Sequence, residues 1–287
     1  MIIPTYNDWG RLEKCLKKLH PSVQGSVDYE IIVVDNAPNH NPPGWFVDLP
    51  HVRLLSEPTP GSYAARNRGA SFAAGKFLAF TDADCIPESN WLGNASRFFS
   101  EQKCDMIGGE VRIFREEQGS RWAYIYEKHV AFRQADNVSK NESVTANFFI
   151  RRDVFEHLNG FDQEIKSGGD FEFSKRAVQN GYRLAYAENV VVLHPARTTL
   201  GSLFRKQRRF AAWGYLNVRK AHGHSGFRIL MSNLLHGLRS IVRRSSRPEA
   251  LREKWIVFLV STSLYVYNVF LQFLIMIHVI DPHSIRE

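Results

Sequence analysis

A chain of 287 residues with 44% hydrophobic and 13% aromatic side chains has enough apolar surface for one large or two modest cores, which excludes disorder as its main state. Its net charge of +8 is lopsided: residues 197–254 hold fourteen Lys and Arg against two Glu, a net +12, and the remainder sums to −4, which argues against a nucleic-acid groove spread over the whole protein. Three cysteines, Cys15, Cys85 and Cys104, show no Cys-x-x-Cys spacing, which argues against a disulfide framework or structural zinc and fits reduced cytosol.

The chain opens almost inside a strand with no signal peptide ahead of it, so either native residues are missing there or the start lies unusually close to the strand. Ile2-Ile3 runs into the turn Pro4-Thr5-Tyr6-Asn7, and Leu12, Cys15, Leu16 and Leu19 then recur at helical spacing. The continuous apolar run 29–35, ending in Asp35-Asn36, suits a strand buried in a parallel sheet. Residues 51–55 read as a third strand. After the turn 58–62, Ala64-Ala65-Arg66-Asn67-Arg68-Gly69-Ala70 opens a small-residue helix that can pack closely on the sheet, and the strand that follows stops at Asp82-Ala83-Asp84. This β-α-β-β-α-β order predicts a doubly wound α/β sheet.

Further on, residues 105–114 form a strand with glycines at a bend or a close ligand approach. Residues 117–140 read as a helix and a mobile loop. A short strand from Phe148 leads into a helix capped at Asp153 and ended by Gly160-Phe161-Asp162; a half-buried helix follows over 170–180. The last strand, 182–193, ends at His194-Pro195. Residues 255–280 carry no formal charge, and about 20 apolar residues span a bilayer. A buried core helix competes, since Ser261, Thr262, Ser263, Asn268, Gln272 and His278 interrupt the run. The basic flank Arg243, Arg244, Arg247, Arg252 and Lys254 favours a span with the main domain in the cytoplasm, and residues 226–242 suit an interfacial helix or one packed on the main domain.

Asp82-Ala83-Asp84 closes its strand with two carboxylates at i and i+2. Ligands of open α/β sheets collect beyond the carboxyl ends of the strands, and paired carboxylates suit a hard cation, Mg²⁺ or Mn²⁺, that bridges phosphates. Alone, the tripeptide more often describes a polar turn whose Asp side chains bond their own backbone. Other polar signals fall at strand ends too. In order and spacing, Ile2-Ile3-Pro4-Thr5-Tyr6-Asn7, Ile31-Ile32-Val33-Val34-Asp35-Asn36, Ala64-Ala65-Arg66-Asn67-Arg68-Gly69, Phe80-Thr81-Asp82-Ala83-Asp84 and Asn159-Gly160-Phe161-Asp162 resemble the family-2 glycosyltransferases, inverting enzymes of the glycosyltransferase-A fold, over about residues 1–197.

The resemblance implies a glycosyltransferase-A type doubly wound mixed sheet with a Rossmann-like nucleotide-binding half and a helical C-terminal region. It implies a nucleotide-sugar donor met by Pro4, Thr5, Tyr6, Asn7, Asp35, Arg66, Asn67, Asp82 and Ala83, and a divalent metal, Mn²⁺ or Mg²⁺, on Asp84 with Asp82 and His194 as further ligands. Asp170 is the implied base. The family commonly has a Glu-Asp pair there, and Gly169 stands in place of the Glu, so the paired carboxylate is missing. Gly168, Gly169, Glu172 and Arg197 are implied on the acceptor or diphosphate side. Gln207-Arg208-Arg209-Phe210 departs from the Gln-x-x-Arg-Trp motif of processive relatives, which favours single-sugar transfer.

The expected organisation is a catalytic domain over 1–197 (donor half 1–100, acceptor half 101–197), a basic helical segment 198–254, a single-span anchor 255–280 and a tail 281–287, on the cytoplasmic face of a membrane. The expected partners are a nucleotide sugar, most simply a UDP-sugar, a glycan or lipid-linked acceptor, and the membrane, with no nucleic acid. A catalytically inactive membrane scaffold keeping the fold and a sugar nucleotidyltransferase are the alternatives; the glycine-rich phosphate loop of the latter is not visible after the first strand.

Overall fold

The computed structural model describes residues 1–25, 27–37, 42–47, 49, 51–165, 167–222 and 226–281, with the side chains of 215–233 and 235 outside that description. In chain order the elements are β1 (Ile2–Thr5), α1 (Trp9–Lys18), α2 (Pro21–Gln24), β2 (Ile31–Asp35), α3 (Gly44–Val47), β3 (Val52–Ser56), α4 (Ser62–Phe72), β4 (Phe77–Thr81), β5 (Ile86–Pro87), α5 (Trp91–Glu101), β6 (Met106–Phe114), α6 (Arg121–Val130), α7 (Gln134–Val138), β7 (Asn147–Arg151), α8 (Arg152–His157), α9 (Gly169–Gln179), β8 (Leu184–Pro195), α10 (Leu200–His222), α11 (Gly226–Ser245) and α12 (Leu251–Met276).

The strands form one eight-stranded mixed sheet in the order β3-β2-β1-β4-β7-β6-β8-β5. β3, β2, β1 and β4 run parallel, so the carboxyl ends of β1, β2 and β4 share one edge. β7 enters antiparallel between β4 and β6 and brings Asn147 opposite Thr81 at that edge. Alternation along the strands divides the core between two faces: Ile3, Val33, Ala79, Ile107 and Phe149 pack on one, Ile2, Ile32, Val34, Phe80 and Phe148 on the other. α4 lies close over β1 because Gly69 leaves room: a Cβ there would stand 2.5 Å from Ile2 Cγ2.

Buried Asn147 ties this edge together. Its Oδ1 accepts from Trp91 Nε1 at 2.9 Å, and its amide donates to the Glu110 and Val190 carbonyls, each at 2.8 Å. Asn147→Ala strands one buried indole N–H and two carbonyls, each worth about 1–3 kcal/mol when left unpaired. A loss of about 3 kcal/mol in urea unfolding is expected, and a change below about 0.5 kcal/mol would contradict this reading.

Residues 1–112 and 132–194 form one compact unit; residues 113–131 and those from Pro195 onward form a second. In the second, Ala123, Ile125 and Tyr126 of α6 share a core with Leu203 of α10 and Ile256, Val257, Val260 and Leu264 of α12. α12 is long and apolar enough to cross a membrane, yet 39% of its most apolar window is buried against the chain. Trp255, Leu259, Val266 and Phe270 are exposed along it. Residues 117–140, expected as one helix and a loop, contain two helices: the Ser120 hydroxyl caps α6, and the buried Gln134 amide anchors α7 to Ser143 and the backbone of Val144 and Asn147. Among the residues expected to form the interfacial helix, Phe227, Ile229, Leu230 and Leu235 have side chains outside the described set, as do residues 282–287 of the expected tail.

Candidate active site

The shared strand edge collects the polar turns. Pro4 and Thr5 of β1 lie in register with Val34 and Asp35 of β2. Thr5 is buried with its hydroxyl unpartnered, whereas Tyr6 is 62% exposed beyond it, and Asn7 takes a left-handed φ of 52°. Asp35 closes an Asx turn, its Oδ1 accepting from Ala37 N at 2.9 Å. Asn36 then binds the next crossover, donating to the Glu57 and Thr59 carbonyls and accepting from Gly61 N at 2.9 Å. Gly61 precedes α4, so this clasp fixes the start of the helix carrying Tyr63, Arg66 and Asn67.

The turn after β4 holds the acidic group. Cys85 N–H closes it onto the Asp82 carbonyl at 3.0 Å, with Ala83 buried inside. Arg66, 4% exposed, donates from Nη2 to Asp82 Oδ1 at 2.5 Å, and its buried Nε has no partner among the described residues. Asp84 Oδ1 faces His194 Nε2 at 3.6 Å, and the His194 ring lies 4.4 Å from that of Phe132. One ligand atom each from Asp82, Asp84, Cys85 and His194 lie within 4.8 Å of one another. Burial pushes the Asp84 carboxyl up; His194 opposes this and the Asp82 carboxylate adds to it. Burial also drives the Cys85 thiol well above its usual range, so Cys85 forms an apolar wall, while two carboxylates and an imidazole are the donor set a hard divalent cation takes.

Asp170, whose carboxyl feels the Arg66 charge, lies in the first turn of α9. Its Oδ1 accepts from the Tyr63 hydroxyl and from Phe171 N, both at 3.0 Å, and its Oδ2, among the described residues, only from Thr145 N at 3.4 Å. Burial raises the Asp170 carboxyl, opposed first by the Arg66 charge and then by these hydrogen bonds. Gly168 adopts φ 81° just ahead of the helix, and Gly169 is buried against the Tyr63 ring.

The structure thus brings Asp82, Asp84, His194, Arg66 and Asp170 together, and gives other candidates different partners. Asn67 spends both polar groups on the Phe161 backbone, at 2.8 and 3.0 Å. Glu172 grips Arg176, which also donates to the Leu158 and Gly160 carbonyls. Arg197 belongs to the second unit, where its Nη1 and backbone N–H both meet the buried Glu127 carboxylate at 2.8 Å. Tyr63 was not singled out in the sequence, although Tyr63, Arg66 and Asn67 fall at i, i+3 and i+4 of one helix, on a common face.

Residues 1–158 match the family model described as glycosyl transferase family 2. The chain is 35% identical over 215 residues to the glycosyltransferase AglE of Haloferax volcanii, an alignment covering 73% of this chain and 70% of that protein. It is 22% identical over 238 residues to a dolichyl N-acetyl-alpha-D-glucosaminyl phosphate 3-beta-D-2,3-diacetamido-2,3-dideoxy-beta-D-glucuronosyltransferase of Methanococcus voltae, covering 77% and 74%. Among solved structures, the mannosyltransferase PcManGT of Pyrobaculum calidifontis, in complex with GDP-Man and Mn²⁺, superposes with a TM-score of 0.62 at 16% identity, covering 98% of this chain and 87% of that one.

Proposed function

The chain belongs to glycosyl transferase family 2, and we propose that it is an inverting transferase moving one sugar from a nucleotide-diphosphate donor, a UDP-sugar, to a hydroxyl of a glycan or lipid-linked acceptor in cell-envelope or polysaccharide synthesis. The observation that carries the reading is a single buried guanidinium, Arg66, which bonds Asp82 in the Asp82-Asp84-His194 group and whose charge also acts on the Asp170 carboxyl. A transfer needs two electrostatic environments side by side: one that tolerates a leaving diphosphate and one that takes a proton.

The roles divide as follows. Thr5, Tyr6 and Asp35 meet the nucleoside. Asp84, with Asp82 and His194, would hold Mn²⁺ or Mg²⁺, which when bound would supply positive charge against the diphosphate. Arg66 holds Asp82 in place and contributes positive charge to the same end. Asp170 accepts the acceptor hydroxyl's proton as that oxygen bonds to the anomeric carbon and the bond from this carbon to the diphosphate oxygen breaks; the nucleoside diphosphate leaves with the electron pair. Asn67 holds the Gly160-Phe161 turn, and Gly168 sets the start of α9. The exposed apolar face of α12 rests in a bilayer, and the basic residues at its N-terminal side favour the cytoplasmic leaflet.

A thermal-shift panel of nucleotide sugars tests the donor reading. With Mn²⁺ present, UDP-sugars are expected to raise Tm in a concentration-dependent way, since ligand binding to the native state alone stabilises it. GDP-mannose belongs in the panel because the similar solved mannosyltransferase holds it. If no nucleotide sugar shifts Tm or is turned over, the donor assignment falls. For the membrane, the full chain is expected to resist alkaline carbonate extraction, and complete release would argue against an embedded α12.

A further inference from the structure

Asp170 carries a proton in the proposed reaction only if one of its oxygens is free and aimed, and the residue that arranges this lies on a different helix. The Tyr63 hydroxyl touches residue 170 twice: it donates to Oδ1 at 3.0 Å and accepts from the Asp170 backbone N–H at 3.1 Å. One hydroxyl thus satisfies an N–H of the first turn of α9, which no carbonyl of that helix can reach, and fixes the rotation of the side chain beyond it. With Phe171 N also on Oδ1, that oxygen is fully engaged. Among the described residues, Oδ2 has only the 3.4 Å contact from Thr145 N.

The ring that carries the hydroxyl is held just as firmly. It packs 5.4 Å from Phe161, with the Arg66 guanidinium carbon 5.6 Å from its centroid. It also occupies the space a side chain at 169 would need: a Cβ on Gly169 would stand 2.7 Å from Tyr63 Cε2 and 3.0 Å from Cδ2 and Cζ. The glycine is therefore a steric requirement of the tyrosine, which in turn supplies a neutral clasp beside Asp170.

We infer that Tyr63 is the positioning residue of the catalytic base, a role resting on the proposed transferase reading: it saturates Asp170 Oδ1, leaves Oδ2 as the proton acceptor, and requires glycine at 169. The groups facing the carboxylate are Tyr63 and Arg66 from α4, Thr145 N from the segment before β7, and Phe171 N from α9 itself. Because the tyrosine hydroxyl favours the ionised carboxylate, its removal raises the pH below which the base is lost.

The test is Tyr63→Phe in the full chain, which keeps the ring, assayed as nucleoside diphosphate released from the donor the panel selects. The expected result is a kcat lower by about 10- to 100-fold, a fraction of a general base's full worth, with the donor KM changed less than about threefold and the acid limb of the kcat profile moved to higher pH. A merely structural tyrosine would not move that limb. Gly169→Ala, which pushes against the ring, is expected to show the same limb shift and provides the second reading should Tyr63→Phe fail to fold. Unchanged kcat and an unmoved limb in either folded variant, with Asp170→Asn inactive, overturn the inference and leave the base assignment standing. A folded Asp170→Asn with undiminished kcat overturns both.

Discussion

Asp170→Asn is expected to lower kcat by about 10²- to 10⁴-fold, the range a positioned general base contributes, in a protein that stays folded. The geometry favours folding because an amide oxygen can keep the two donors on Oδ1, Tyr63 Oη and Phe171 N, while the new NH₂ meets only the long contact from Thr145 N. The pH profile supplies a second readout. Burial is the leading influence on this carboxyl and raises it, with Arg66 and the hydrogen bonds pulling back. The base works ionised, so kcat falls as pH drops through a value above the ordinary aspartate range of about 3.9. That limb disappears in the residual activity of Asp170→Asn. Full kcat in the folded variant would remove Asp170 from the chemistry.

Removal of divalent metal is the other large effect. EDTA is expected to abolish turnover and added Mn²⁺ to restore it, and Asp84→Asn to raise the Mn²⁺ concentration needed for half-maximal activity by at least about tenfold, or 1.4 kcal/mol of binding. Asp82→Asn separates itself from this by stability. It breaks a pair in which the Arg66 side chain is 5% exposed, and an unpaired buried charge costs about 3–5 kcal/mol. Urea unfolding distinguishes the two: Asp84→Asn unfolds near the parent midpoint and Asp82→Asn well below it. Undiminished turnover in metal-free buffer would contradict the assignment of Asp84.

The parallel half of the fold was legible because its strands are short, continuous apolar runs, each closed by a polar turn, and the pattern 64–70 of small residues announced the close packing of α4 on β1. The direction of β7 was not, since a few apolar residues read alike in parallel and antiparallel neighbours. The edge strand β5, two residues long, and α5 went unread. α6 shares its core with α10 and α12, partners far along the chain that helical periodicity does not name. At the site, residue types at strand ends picked out the acidic pair and His194, while Asp170, in the first turn of a helix, came through the family resemblance. What they could not supply was the wiring. Arg66 read as a donor contact, yet its guanidinium lies on Asp82; Asn67 read likewise, yet its amide closes on the Phe161 backbone. Tyr63 reads as an ordinary helix aromatic until the missing Cβ of Gly169 shows why its ring fits there.

The same geometry accounts for glycine at 169 in the proposed reaction. A second carboxylate beside Asp170 would raise its proton affinity further, whereas the Tyr63 hydroxyl orients it and favours the ionised form. At the proposed base, burial is the leading influence, and one tyrosine and one arginine, both on α4, whose start the Asn36 clasp fixes, favour the ionised form against it.

Anomeric configuration of the product tests single-displacement transfer at Asp170 most directly. With an α-linked nucleotide sugar as donor and a product analysed by NMR before it can equilibrate, a β-linked glycoside is expected, because the acceptor oxygen enters on the face opposite the leaving diphosphate. An α-linked product would contradict inversion and with it the placement of the base at Asp170.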